Sequence, residues 1–291
     1  MNRLTPPEQW VPFVKHELGI DSVQFTADMI MPYMMDPLAR RIAERTRAIA
    51  DDHALSIDST FTGAFTRLNH FSHPDREVRE YWLRWFHAFA DVSAILGARS
   101  MGSHFGIQTM EDSGDLESRE KLLSKTVGCW RKLAGYVKDA GLAYLTWEPM
   151  SIRREYGETV REVEKIQGML TDFPVPMLLL LDVDHGDVDS PNPDDTNPYV
   201  YLERFGKIAP LVHLKQSCED KGGHWPFTPE NNAGGRIQPA KVLRALEKGG
   251  ATDVGLILEL SFRERSPSEK RMVDDLKRSV EFWKPICTGN G

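Results

Sequence analysis

PMLLLLDVDH, residues 176–185, decides the fold. Its unbroken apolar run, Met177 to Leu181, is too short for a helix and far too short to span a bilayer. A strand that is apolar on both faces is buried on both, as in a parallel sheet covered by helices. The polar residues follow at once, with Asp182, Asp184 and His185 at the carboxyl end. Runs of the same kind recur on either side. Upstream lie DSVQFTA from Asp21, ALSIDST from Ala54, ARSMGSH from Ala98 and LAYLTWE from Leu142. Downstream lie LVHLKQ from Leu211 and VGLILEL from Val254. Gly, Pro, Asp or Asn bounds each run, as expected of strands.

Helical patterns fill the intervals. DPLARRIAERTRAIADDH spans residues 36–53, and a second pattern opens at Pro74 and stops near Gly97. A third runs from about Asp115 to Ala140, ahead of Gly141. Strands alternating with helices predict a parallel sheet, and the seven strands need an eighth to close a barrel. The first helical pattern, roughly Pro6 to Leu18, precedes the strand at Asp21 with almost no chain before it. The expected fold is therefore a TIM-type (β/α)8 barrel whose first strand is missing or truncated, with residues 1–291 as a single domain. An open nucleotide-binding sheet would need a Gly-rich turn after its first strand, and none is present.

The chain carries 36 Lys and Arg against 43 Asp and Glu, a formal charge of −7. That balance argues against a protein that grips nucleic acid by bulk charge. Cys129, Cys218 and Cys287 are too few and too scattered for a disulfide framework or a zinc knuckle. MNRLTPPEQW at the start lacks the apolar stretch of a signal peptide. A cytoplasmic protein without membrane contact is expected, with room for a homo-oligomer.

In an α/β barrel the chemistry sits at the carboxyl ends of the strands. Those ends here carry His104, Glu148, Asp182 with His185 three residues on, His213 and Glu259, and His70 follows the second run. Glu148 and Glu259 have apolar neighbours, and a buried carboxylate is costly unless a cation or strong hydrogen bonds meet it. A core salt bridge would satisfy either one alone. Three carboxylates and an imidazole together make a divalent metal site. The donors suit Mn2+, Mg2+ or Co2+, and Zn2+ is also compatible.

WEP (Glu148), LDVDHG (Asp182 and His185), VHLK (His213) and LELS (Glu259), in that order, resemble the sugar-phosphate isomerase/epimerase family. These are the barrels related to xylose isomerase and to the apurinic endonucleases. The resemblance covers nearly the whole chain from about residue 5. It implies one metal held by Glu148, Asp182, His213 and Glu259, with His185 touching the substrate. Asp182 is preferred to Asp184 as the ligand because its spacing to His185 matches the family. The endonuclease branch needs an Asp-x-His pair that HWPFTPENNAGGR lacks, with His224 displaced, and it needs a basic surface.

Two glutamates on one metal point to proton transfer at a carbon beside a carbonyl, with the metal as Lewis acid. Glu148 and Glu259 on opposite faces of that carbon would epimerise C3 of a small ketose by a two-base mechanism. Transfer on one face would instead give an aldose–ketose isomerase, and loss of water a dehydratase. The substrate is expected to be a ketose phosphate such as a tetrulose phosphate. Lys215, two residues after His213, is placed to contact it. Lys221, Gly222, Gly223, Gly234, Gly235 and Arg236 offer a Gly-rich anion loop before a helix near Pro239. Arg153, Arg154 and Arg263 read more simply as surface ion-pair residues. His70 and His104 are expected at the mouth of the site in contact with substrate. Trp147, Trp225 and Phe227 are expected to crowd out a long sugar. MIMPYMMD, residues 29–36, reads as packing or as an apolar wall over the sugar.

Overall fold

The computed structural model describes residues 6–30, 36–218, 221–262 and 269–287. The chain divides into two compact units, residues 1–178 and 179–291. Residues 1–5, where a missing or truncated first strand is expected, lie outside the described residues. So do most of MIMPYMMD and Arg263.

The first unit begins on α1 (Pro7–Pro12), which continues as a π-helical turn over Phe13–Glu17. Four parallel strands follow: β1 (Ser22–Thr26), β2 (Ser56–Phe61), β3 (Ser100–His104) and β4 (Tyr144–Glu148). Between and after them run α2 (Asp36–Asp52), α3 (Arg76–Ile95), α4 (Met110–Gly114), α5 (Leu116–Asp139) and α6 (Val160–Met169). The helix expected to open at Pro74 opens two residues later, because the Asp75 carboxylate accepts from the Glu77 N–H and caps it. Asp115 caps α5 in the same way through Ser118.

Phe25 and Ile57 of the sheet pack with Val11, Ala39, Ala43, Val92 and Leu96 from the helical layer. Trp147 also faces that layer, donating from Nε1 to Gln167 Oε1 of α6 at 3.1 Å. Its neighbour Glu148 must then point to the opposite face, because strand side chains alternate. His104 shares that face, being in register with Glu148. Gly102 and Thr146, two residues earlier on each strand, form the next row. A Cβ on Gly102 would lie 2.1 Å from Thr146 Oγ1 and 2.7 Å from the Phe61 ring, so only glycine fits there.

The division between units falls within β5 (Met177–Asp182). The second unit adds β6 (Leu211–Leu214), the hairpin strands β7 (Gln216–Cys218) and β8 (Lys221–Trp225), and β9 (Gly255–Leu258). Its helices are α7 (Pro198–Phe205), α8 (Pro229–Ala233), α9 (Pro239–Lys248) and α10 (Glu269–Cys287). β5, β6 and β9 are parallel, with Asp182 beside His213 and His213 beside Ile257. All seven expected strands are present. The antiparallel β7–β8 hairpin is an addition, formed where the sequence suggested a loop. Among the described residues no helix is long and apolar enough to cross a membrane.

Candidate active site

Parallel register brings the chemistry of the second unit together. Asp182 and His213 stand side by side, and the Glu259 N–H extends the ladder by donating to the Leu214 carbonyl at 3.0 Å. Ligand atoms of Asp182, His213 and Glu259 lie within 4.8 Å of one another. His213 Nδ1 is 3.4 Å from Glu259 Oε2. Asp182 and His213 are buried and Glu259 is half-buried.

Lys215 follows His213 on the same face and is buried with it. Its ammonium is 2.6 Å from Asp182 Oδ2 and 3.3 Å from Glu259 Oε2. Two carboxylates and an imidazole thus bring ligand atoms to one point, and hard oxygen donors with one imidazole suit a hard divalent cation. The donor set therefore fits a metal.

His224 is the residue that the sequence did not place. It sits on β8, where Gly222 and Gly223 hide the strand pattern, and the hairpin carries its Nδ1 to 3.3 Å from Glu259 Oε2. Its hydrogen bond to Glu259 raises the His224 pKa despite partial burial. Burial would push Glu259 up, but His213, His224 and Lys215 together pull it well below the usual carboxylate range.

The loop expected to bind an anion is already bound to one of the protein's own. Arg236 donates from Nη2 to Asp184 Oδ1 at 2.9 Å, and the Gly223 N–H donates to Asp184 Oδ2 at 2.9 Å. Arg236 Nε meets Ser217 Oγ and Nη1 the Thr196 carbonyl. Asp184 thus ties the hairpin to the Gly-rich loop. His185 is partly exposed, its Nε2 3.9 Å from Asp182 Oδ2. Phe227 stacks on Phe282 and meets Trp283 edge-on, so it packs against α10.

In the first unit Glu148 ends β4, buried, beside His104. His70 is fully buried among Phe71, Trp82, Phe86 and Trp130 rings, with the His104 ring 4.4 Å away. Burial drives the His70 pKa well below 6.5, and the nearby His104 lowers it further. The unfolded chain takes up a proton near pH 6.5 that the folded chain refuses, so stability falls as pH drops below that value. Each such group costs at most about 1.4 kcal/mol per pH unit. Urea unfolding of the wild type and His70→Asn between pH 7.5 and 5 is expected to show the shallower pH dependence in the variant. A difference between them that does not change with pH would show that His70 is not the neutral group.

Comparison with known proteins gives a consistent result. The profile of a family described as xylose isomerase-like TIM barrel matches residues 15–285. D-erythrulose 1-phosphate 3-epimerase of Brucella abortus (strain 2308) is 42% identical over 292 residues, covering 99% of this chain and 94% of that protein. Among solved structures, a candidate xylose isomerase from Rhodospirillum rubrum superposes with a TM-score of 0.88 at 23% identity, over 97% of this chain and 94% of that one. D-psicose 3-epimerase from Clostridium cellulolyticum H10, solved with D-tagatose, gives a TM-score of 0.69 at 13% identity, over 95% and 92%. These two structural likenesses concern the fold.

Proposed function

The chain belongs to the xylose isomerase-like TIM-barrel family, and on that premise we propose that it is a metal-dependent epimerase inverting C3 of a small ketose phosphate of the erythrulose 1-phosphate kind. The observation that carries the proposal is the gathering of Asp182, His213 and Glu259 at neighbouring strand ends. Glu148 is the proposed fourth ligand. Its support is its buried place at the end of β4 and its position in the ordered family motifs. Mn2+, Mg2+ or Co2+ is the proposed ion, with Zn2+ as the alternative. Such an ion supplies Lewis acidity to the ketone oxygen and the adjacent hydroxyl, which makes the C3 hydrogen more acidic.

The chain's own residues do the rest. Inversion needs one carboxylate charged while the other carries a proton. Glu259, whose Oε2 is met by His213, His224 and Lys215, takes the C3 proton. Glu148 returns one from the opposite face, and the roles exchange for the reverse reaction. Lys215 and His185 contact the substrate beside Asp182. Arg236, with all three nitrogens engaged, holds the wall of the site in shape. The substrate is a small molecule, and residues 1–291 act as one cytoplasmic barrel domain.

Incubation of ketoses and ketose phosphates in deuterated water, read by NMR, tests the proposal. Deuterium at C3 with both epimers present is the expected result. Deuterium at C1 with an aldose product would make the enzyme an isomerase. Loss of water from a hydroxy acid, with no exchange in any ketose, would make it a dehydratase.

A further inference from the structure

The hydrogen bonds of His104 determine which of its nitrogens carries the proton. Nε2 lies 3.2 Å from the Leu68 carbonyl oxygen, and a carbonyl can only accept, so the hydrogen sits on Nε2. Burial keeps the ring neutral. Nδ1 is then a bare lone pair, and it has no hydrogen-bond partner among the described residues. The ring shares a sheet face with Glu148, its register partner on β4.

His70 backs this arrangement. Its Nδ1 accepts from the Phe71 N–H at 2.7 Å, and its φ of 29° lies on the left-handed side. A residue with a side chain holds such a backbone only where its surroundings enforce it. Here the enforcing groups are the aromatic rings that wedge His70 against His104.

The surroundings of His104 are also hostile to phosphate. Glu148 and Glu155 are the anions that reach it. The facing cation, Arg67, is paired with Glu155 at 2.6 Å. Phosphate needs donors, and this corner offers a lone pair and carboxylates. A hydroxyl, with a hydrogen to give, fits.

We propose that His104 Nδ1 accepts the hydrogen of a free substrate hydroxyl, so that the sugar lies with its hydroxyl end at β3 and its phosphate turned away, and that His70 is the positioning residue for His104. The inference rests on the epimerase reading above. In a tetrulose 1-phosphate with its ketone at C2, the hydroxyl concerned is that on C4, one carbon beyond the centre that inverts.

The test compares a tetrulose 1-phosphate with its 4-deoxy analogue. In the wild type, loss of the C4 hydroxyl should lower kcat/KM about 10- to 100-fold. His104→Gln keeps an amide at the Nε2 position but loses the acceptor at Nδ1. It should lose a similar factor on the parent sugar and little more on the analogue. His104→Asn restores an oxygen near the Nδ1 position and should recover part of the discrimination. His70→Asn, which tolerates the left-handed backbone, should reduce the discrimination while the protein stays folded. Equal discrimination in the wild type and His104→Gln, or none in the wild type, would overturn the proposal. Long-range 15N–1H spectra read the tautomer without turnover. A proton on Nε2 supports the proposal and a proton on Nδ1 overturns it. Failure to turn over any ketose would sink the epimerase reading, whereas the position of the proton on His104 is read independently of it.

Discussion

Glu148→Gln and Glu259→Gln are each expected to lower epimerisation about 1,000-fold or more, the larger part of what general acid–base catalysis supplies. Glutamine keeps the shape of each side chain but has no negative charge and can neither accept the C3 proton nor give one back. In a two-base scheme each variant also loses hydrogen exchange from one epimer while exchange from the other continues slowly. That asymmetry separates loss of a base from loss of the metal, which would silence both directions together. Asp182→Asn should act mainly through weaker metal binding, so excess metal should restore part of its activity. Native mass spectrometry reports the metal content of each variant. Near-full activity in Glu259→Gln would end the two-base scheme. The structure adds a further expectation at this residue. Because Glu259 Oε2 is shared by His213, Lys215 and His224, its replacement removes a partner from three side chains at once.

Arg119→Met is expected to cost about 3–5 kcal/mol of stability, although Arg119 lies outside the proposed ligand set. Its guanidinium is buried on α5 and donates to Gln108 Oε1, the Arg153 carbonyl, Glu158 and Glu162. It also lies over the Tyr156 ring at 5.2 Å. Burial raises the Glu158 pKa even with Arg119 present. Without that cation, burial and the neighbouring Glu162 drive Glu158 further towards its protonated form, which loosens the segment that follows Glu148. Urea denaturation measures the cost, and Glu158→Gln in the Arg119→Met background should recover part of it by removing a buried charge that has lost its guanidinium. A loss under about 1 kcal/mol would mean that the network adds no more than a surface ion pair does.

Met177–Leu181 was legible as a strand because a strand covered on both faces can be apolar throughout, whereas the mixed runs SIDSTF and SMGSH were legible from their regular alternation with helical patterns. The caps of α3 and α5 were legible to within two residues, since Asp75 and Asp115 act on N–H groups close by in sequence. The polar strand ends were legible as well, because barrel topology sends the last residue of each strand to the same end. Trp147, expected beside the sugar, instead faces the helical layer, because alternation along the strand turns it away from its neighbour Glu148. The rest depended on partners distant in the chain. The hairpin was hidden by Gly222 and Gly223, which carry no alternating side chains, and His224 was hidden with it. Asp184 reads as a spare acid beside Asp182 until folding brings Arg236 against it. The tautomer of His104 is set by the carbonyl of Leu68, a loop residue whose position only the packed β2–α3 segment decides. Periodicity encodes which face of an element is buried, whereas a polar group's partner, and with it the group's charge and proton, is set only by tertiary contact.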